Sequence, residues 1–316
     1  MQLLTGFTTP SAYRRGFVSI GNFDGVHRGH QVILRRLAEL ARSAGVPAVV
    51  LTFEPSPAAV LAPGRVPPRL TTLDRKAELV GECGIDAVIA IPPTRDLLGL
   101  GAHEFFESII VREIQASGII EGPNFCFGRA RSGTTETLCQ LGKQHGVAVE
   151  IVDPQKAGEE LVSSTVVRNA ISEGNCQLAT QLLGRPHRVS GKVTTGEARG
   201  RQLGFPTANL MDIPELLPPV GVYAGLAVYQ GRKYVAAIHL GPNPTFGENL
   251  PKLEVHLLDF EGDLYGKTLA IDLLARMRDV RPFATVDALL AQLQVDVTNV
   301  RRACVAFVSA SESTDH

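Results

Sequence analysis

The texture of the chain changes at Gly184, and this change constrains the fold more than any other feature. Before it, short apolar runs alternate with helical patterns. FVSI (17–20) leads into QVILRRLAELARSAG, whose apolar positions recur at helical spacing and stop at Gly45. AVVLTF, LDRKAELVGECG, AVIAI, EFFESIIVREI, GIIEG, LCQLGKQHG and AVEIV continue the alternation, which predicts a parallel sheet covered by helices on both faces. SSTVVRNAISEG and CQLATQLLG read as two closing helices. From Gly184 onward, glycines come in quick succession at 191, 196, 200 and 204, followed by GVYAGLAVYQ, KYVAAIHL, KLEVHLLDF and TLAIDLL. Strand-like runs split by Gly and Pro predict a small antiparallel barrel. TVDALLAQLQVDVTNVRRACVAF closes the chain as an amphipathic helix. Two domains are expected, 1–185 and 186–316, with little linker between them and no internal repeat.

Composition narrows the functional classes. Lys and Arg number 31 against 32 Asp and Glu, so no global field calls for nucleic acid or an acidic membrane. The five cysteines, at 83, 126, 139, 176 and 304, show no Cys-x-x-Cys spacing, which favours reduced buried thiols over a disulfide framework or zinc. No apolar run approaches the ~20 residues that span a bilayer. MQLLTGFTTPSAYRR lacks the basic-then-apolar order of a signal peptide, so a cytoplasmic protein is expected.

The segment GNFDGVHRGH (21–30) sits where the first strong strand hands over to a helix. Such a turn aims backbone N–H groups at whatever lies above it, and phosphate suits that place. His27 falls at the turn, His30 in the first helical turn, and Gly29 between them allows close backbone approach. Imidazoles there are expected to donate charge-assisted bonds to phosphate oxygens. Zinc fits less well: the spacing is i, i+3, and no Glu follows the first His as in His-Glu-x-x-His.

Gly-x-Phe-Asp-Gly-x-His-x-Gly-His resembles the signature of nucleotidyltransferases that move a nucleotidyl group from a nucleoside triphosphate to a phosphate. Over residues 15–300 or so, the chain resembles the bifunctional riboflavin kinase/FAD synthetases of bacteria. The resemblance implies a Rossmann-like, nucleotidyltransferase-type α/β domain followed by a flavokinase barrel with a C-terminal helix. It implies riboflavin, FMN and ATP as substrates, with Mg²⁺ alongside ATP. It also implies nucleotide contacts from Gly21, Phe23, Asp24 and Gly29. For Asp24, a metal contact and a structural turn role both stand open. In VSSTVVR (162–168), Ser164 and Thr165 precede a helical run as N-caps do. The resemblance makes them, with Arg168, a second phosphate clamp that neutralises the departing pyrophosphate. GPNFCFGRARSG (122–133) matches the family's loop ahead of it, and Asn124 is implied in nucleotide contact. TFEPSP departs from the pattern, with Ser56 where many relatives carry His.

GKVTTGEARGRQLGFPTANL (191–210) resembles the flavokinase loop. Gly191, Gly196, Gly200 and Gly204 read either as barrel turns or as a loop whose backbone approaches phosphates without intervening Cβ atoms. Thr207 and Asn209, two apart, share a face of an extended chain and offer the neutral oxygens that suit Mg²⁺. In the family these two hold the metal. In LEVHLLDF, alternation sets Leu253, Val255 and Leu257 on one face, with Glu254 and His256 on the other. An exposed strand Glu is usually just solvated; in the family this one is the base of the kinase reaction. The closing segment matches at Arg278, Arg281, Phe283, Leu289, Gln292 and Asp296, and departs at Val280, where relatives often have Glu.

The two chemistries ask for different sites. An attacking ribityl hydroxyl needs a carboxylate to take its proton. An attacking phosphate monoester, with a second pKa of ~6, needs donors and positive charge instead. Two rivals remain: an adenylyltransferase with a passive flavin-sensing barrel, and a non-enzymatic RNA-binding barrel. The neutral charge balance and the lack of aromatic–basic interleaving count against the latter.

Overall fold

Alternation along the strands decides both faces of the N-terminal sheet. In this computed structural model, which describes residues 1–6, 10–153, 156–157, 160–195, 200, 203–242 and 252–312, the chain falls into two compact units, Met1–Ser164 and Thr165–His316. The first unit opens with β1 (Gln2–Thr5) and β2 (Phe17–Ile20), then α1 (Arg28–Ala44), β3 (Ala48–Phe53), α2 (Pro57–Leu61) and α3 (Leu73–Glu82). It continues through β4 (Ala87–Ile91), α4 (Arg95–Gly99), α5 (Ala102–Phe105), β5 (Gly118–Glu121), α6 (Thr135–His145) and β6 (Ala148–Ile151). A short ribbon of β7 (Lys156–Ala157) and β8 (Glu160–Leu161) follows. All pairings in the main sheet are parallel, in the order β1-β4-β3-β2-β5-β6.

Val18, Ile20, Val49, Leu51, Ile89 and Ile91 pack one face against Leu97, Phe106, Ile110 and Leu138. Ala48, Val50 and Val88 turn the other way, onto Leu34, Leu37, Leu79 and Val80 of α1 and α3. Both faces are therefore covered, as the periodicity predicts. Gly45 ends α1 in the left-handed conformation, with φ 66°. Two details differ from expectation. Gln2–Thr5 adds an edge strand beside β4, too short a run to register as a pattern. The expected helix over EFFESIIVREI begins as α5 but continues as a π-helix over Phe106–Ile114.

In the second unit, α7 (Ser164–Ser172) and α8 (Cys176–Leu183) precede β9 (His187–Thr194), β10 (Ala208–Met211), β11 (Gly221–Tyr229), β12 (Arg232–Gly241), β13 (Lys252–Leu257) and β14 (Thr268–Arg278). The six strands close an antiparallel barrel in the order β10-β13-β12-β11-β14-β9. Closure leaves no open edge to be covered. Val189, Leu210, Tyr223, Ile238, Val255 and Ile271 fill it. The C-terminal helix (Val286–Glu312) lies on the outside, with Val300 and Cys304 against Ala224, Leu226 and Leu274. The texture change at Gly184 coincides with the end of α8. α8 packs on β9 and β14 and its Cys176 joins the barrel core, so by contacts the compact units meet at 164/165. All five cysteines are free; Cys83, Cys176 and Cys304 are buried, Cys126 is half-buried and Cys139 is exposed.

The closing pattern of the sequence is a hydrogen-bonded network. Arg278 Nε and Nη2 donate to the two oxygens of Asp296, at 3.0 and 2.6 Å, and Gln292 Nε2 donates to Asp296 Oδ1 at 2.8 Å. Arg281 donates to Gln292 Oε1 at 2.8 Å, and both guanidiniums lie over the Phe283 ring. Asp296 is buried, so removing it strands a guanidinium that is itself largely enclosed. Asp296→Ala is expected to destabilise the second unit by about 3 kcal/mol. Glu39→Ala, at the exposed Arg36–Glu39 pair, is expected to cost under about 1 kcal/mol. Urea unfolding of the full chain checks both.

Candidate active site

The N-terminal site begins where β2 and β5 separate. Their register holds only at Phe17↔Gly118 and Val18↔Ile119. From β2 the sheet grows one way through β3 and β4 and the other way through β5 and β6, so this gap is the switch point where α/β sheets bind ligands. A cavity of about 710 Å³ opens there. Gly21, Phe23, Asp24, His27, Gly29, His30, Asn124 and Ser164, all singled out from sequence, line it.

The loop from β2 to α1 holds three residues at positive φ: Phe23 (45°), Gly25 (82°) and Val26 (39°). For Phe and Val this conformation costs on the order of 1–3 kcal/mol each and persists only when the surroundings enforce it. Asp24 supplies the enforcement. Its carboxylate accepts from the Leu70 and Thr71 N–H groups at 3.0 and 3.1 Å and from the Thr71 hydroxyl at 3.2 Å. The Ser164 hydroxyl donates to the Asp24 carbonyl at 2.9 Å, bringing the first residue of α7 to the same loop. Asp24 therefore shapes the cavity through its turn, the structural alternative left open by the sequence.

His27 caps α1: its Nδ1 accepts from the His30 N–H at 3.3 Å, which leaves the ring proton on Nε2. The two imidazoles stack with centroids 3.6 Å apart. His30 Nδ1 is buried with no hydrogen-bond partner among the described residues. Burial first, then His27 and then Lys76, hold His30 well below its ordinary pKa. His30 is thus neutral in the free protein, so the expected charge-assisted bond forms only if an incoming phosphate draws a proton onto the ring. Gly29 fits closely, since a Cβ there would stand 3.2 Å from the His27 ring and 3.3 Å from the Val162 carbonyl.

Two buried polar residues at this site lie outside the sequence-derived set. Lys76 donates to Thr52 Oγ1 at 3.2 Å, and Thr52 donates to the Asn22 carbonyl at 3.3 Å. Burial lowers its pKa, with Asp24 and Glu54 opposing. The signal was present: Lys76 shares the apolar stripe of α3 with Leu73, Ala77 and Val80. Glu121, at the end of β5, accepts from the Ile20 N–H at 2.6 Å and from Ser19 Oγ at 3.4 Å. Burial holds its carboxyl well above the usual range.

Thr165 and Arg168, one and four residues after Ser164 on α7, fall in the second unit, Thr165 exposed and Arg168 half-buried.

The second site lies on the outer face of the barrel. Asn209 stands directly opposite Glu254 and, on its other side, Thr194; Glu254 in turn faces His239. Direct cross-strand neighbours hold their Cβ atoms about 4.5–5.5 Å apart, so these four side chains form one row. Leu253, Val255 and Leu257 are buried while Glu254 and His256 are half-buried, as alternation requires. Thr207 is exposed, two residues before Asn209. A Cβ on Gly200 would stand 3.4 Å from Thr207 Oγ1 and 2.3 Å from the Phe205 carbonyl, so only glycine lets this turn close. Gly204 sits in an exposed turn at φ 82°. Gly191 is not in a loop: it lies inside β9, where a Cβ would meet the Met211 carbonyl at 2.8 Å. Gly196 lies outside the described residues. Among the described residues no group of three His, Cys, Asp or Glu could hold a metal. Thr207 and Asn209 instead offer hard neutral oxygens, the donor type that suits a hard divalent cation.

A donor-lined cavity at a switch point, and a barrel that sets a carboxylate beside neutral side-chain oxygens, match the two-site transferase class that the comparisons identify. A family model described as FAD synthetase matches residues 9–166, and one described as riboflavin kinase matches residues 183–304. The chain is 39% identical to the bifunctional riboflavin kinase/FMN adenylyltransferase of Pseudomonas fluorescens, over 95% of this chain and 97% of that protein. It is 36% identical to that of Escherichia coli K12 over the same shares. Among solved structures, a Streptococcus pneumoniae protein described as a macrolide-efflux protein shares the fold, with TM-score 0.84 and 32% identity over 95% of this chain and 98% of that one. The chain belongs to the bifunctional riboflavin kinase/FMN adenylyltransferase family.

Glu121 yields a pH test of the site's electrostatics. Its folded pKa lies above the ordinary 4.5, so the unfolded chain releases this proton first as pH rises, and burial of the carboxyl weakens the unit progressively above that value. Glu121→Gln, always neutral, is expected to be more stable than wild type at about pH 8, the gap closing toward about pH 4. Denaturant melts at both pH values read it; a gap independent of pH would contradict the assignment.

Proposed function

We propose a division of labour between the halves of this riboflavin kinase and FMN adenylyltransferase. The barrel phosphorylates riboflavin to FMN, and the sheet unit transfers AMP from a second ATP to FMN, releasing pyrophosphate. The observation that supports the kinase assignment is the cross-strand pair Asn209↔Glu254, which sets a carboxylate beside a neutral side-chain oxygen of the kind that suits Mg²⁺.

In the barrel, Glu254 takes the proton from the ribityl hydroxyl as it attacks the γ-phosphorus of ATP, a contribution of ~10²–10⁴-fold for a positioned base. Thr207 and Asn209 would hold Mg²⁺, which neutralises and orients the phosphates when bound. Backbone N–H groups around Gly200 and Gly204 approach the phosphates; Gly196 belongs to the same assignment by sequence. Gly191 serves by letting β9 and β10 lie close, which positions Asn209.

In the cavity, the FMN phosphate is already mostly dianionic and needs no base. The Asp24 carboxylate is held by the Leu70 and Thr71 N–H groups, and burial shifts Glu121 toward its protonated form. His27, His30 and the first-turn N–H groups of α1 donate to the phosphates, with Ser164 on the same cavity wall; Thr165 and Arg168 belong to the pyrophosphate clamp by sequence assignment. Asn124 contributes a nucleotide contact. Both reactions consume ATP and fit the cytoplasm; no helix among the described residues is long and apolar enough to cross a membrane.

Chromatographic separation of flavins after incubation with riboflavin, ATP and Mg²⁺ tests this directly. Glu254→Gln is expected to lose FMN formation by at least about 10²-fold while FMN-to-FAD conversion stands. His30→Ala is expected to do the reverse. A folded variant of either kind that loses both activities would contradict separate sites.

A further inference from the structure

The parting of β2 from β5 leaves the Ile20 N–H without a ladder partner, and Glu121 Oε1 fills that vacancy at 2.6 Å while also accepting from Ser19 Oγ. Glu121 is only 3% exposed, yet it lines the cavity, so the little it exposes faces that space. Oε2 has no protein partner among the described residues. Burial pushes the carboxyl well above its ordinary pKa and so favours the protonated form. Because Oε1 already accepts from two donors, the proton sits on Oε2. The free oxygen is therefore a donor inside a nucleotide cavity, and a neutral one that does not repel a triphosphate.

The position selects what meets it. Phosphate donors gather at the N-terminus of α1, at His27, Gly29 and His30. Glu121 instead stands at the root of an aromatic wall, four and six residues before Phe125 and Phe127, whose rings stack at 5.5 Å. With the ATP phosphates on α1, its base falls in the crevice between β2 and β5, where nucleotides lie in doubly wound sheets. We propose that Glu121 reads the nucleobase of ATP, its Oε2–H donating one hydrogen bond to an adenine ring nitrogen. This rests on the cavity being the FMN-adenylylating site.

The test compares wild type, Glu121→Gln and Glu121→Met in FMN adenylylation. The substrates are ATP and three analogues in which N1, N3 or N7 of the base is replaced by C–H. Riboflavin phosphorylation by the same preparations controls for folding. Glu121→Gln keeps an acceptor for Ile20 and a donor toward the cavity, so its KM for ATP is expected to stay within about threefold of wild type. Glu121→Met is expected to raise the KM for ATP about fivefold to tenfold and leave the KM for FMN unchanged. One analogue should lose a similar factor with wild type and with Glu121→Gln, but nothing further with Glu121→Met. Equal analogue penalties in wild type and Glu121→Met would overturn the proposal, as would a rise in the KM for FMN instead of ATP. A wild-type enzyme indifferent to all three analogues would overturn it without any variant. If wild type itself made no FAD from FMN, the reading of the cavity would fall, and the proposal with it.

Discussion

The N-terminal half depends on the parting of β2 and β5 after two residue pairs. A parallel ladder held together to its end would leave no crevice at the switch point and no reason for a carboxyl beneath Ile20. Once the strands separate, the chain leaving β2 must turn into α1 across the gap. It does so through Phe23 and Val26 at positive φ, with Asp24 tied to Leu70 and Thr71. The strain and the ties have one outcome: His27 and His30 are stacked at the first turn of α1, above the gap. Buried polar groups follow the same line, with Lys76 bonded through Thr52 to the Asn22 carbonyl and Glu121 bonded to Ile20. Burial disfavours the charged form of both His30 and Glu121, so neither sets a fixed charge of its own against an incoming anion.

The barrel answers a different requirement. Closure pairs every strand, so its chemistry comes from side chains on the outer face rather than from an opened ladder. Alternation buries Leu253, Val255 and Leu257 and turns Glu254 outward, and register alone brings it opposite Asn209. The C-terminal helix covers another part of that outer face, anchored by the Arg278–Asp296 pair. On the proposed roles, the barrel offers a carboxylate on its outer face for a hydroxyl, and the sheet offers donors in its crevice for a phosphate.

Much of this was legible in the residues, because period and chemistry pointed the same way. FVSI, AVVLTF and AVIAI read as strands, and Gly45 marked the end of α1. The spacing of His27 and His30 put them at a helix start, where one proves to be the cap of the other. Thr207, Asn209 and Glu254 came from alternation joined to a family resemblance. What stayed hidden depended on tertiary register. That Asn209 and Glu254 are partners, with Thr194 and His239 in the same row, cannot be seen within single strands. Gly191 resembled a loop glycine, but its lack of a side chain serves strand packing in β9. Lys76 and Glu121 were readable as polar residues on apolar stretches, yet only the parted strands give them partners. The boundary after Gly184 followed the change in pattern, whereas contacts follow α8 onto the barrel.

On the proposed division of labour each unit binds its own ATP, at its own kind of site. Equilibrium titration of the full chain with a non-hydrolysable ATP analogue and Mg²⁺ measures this. Two nucleotides bound per chain at saturation are expected; saturation at one would overturn the division.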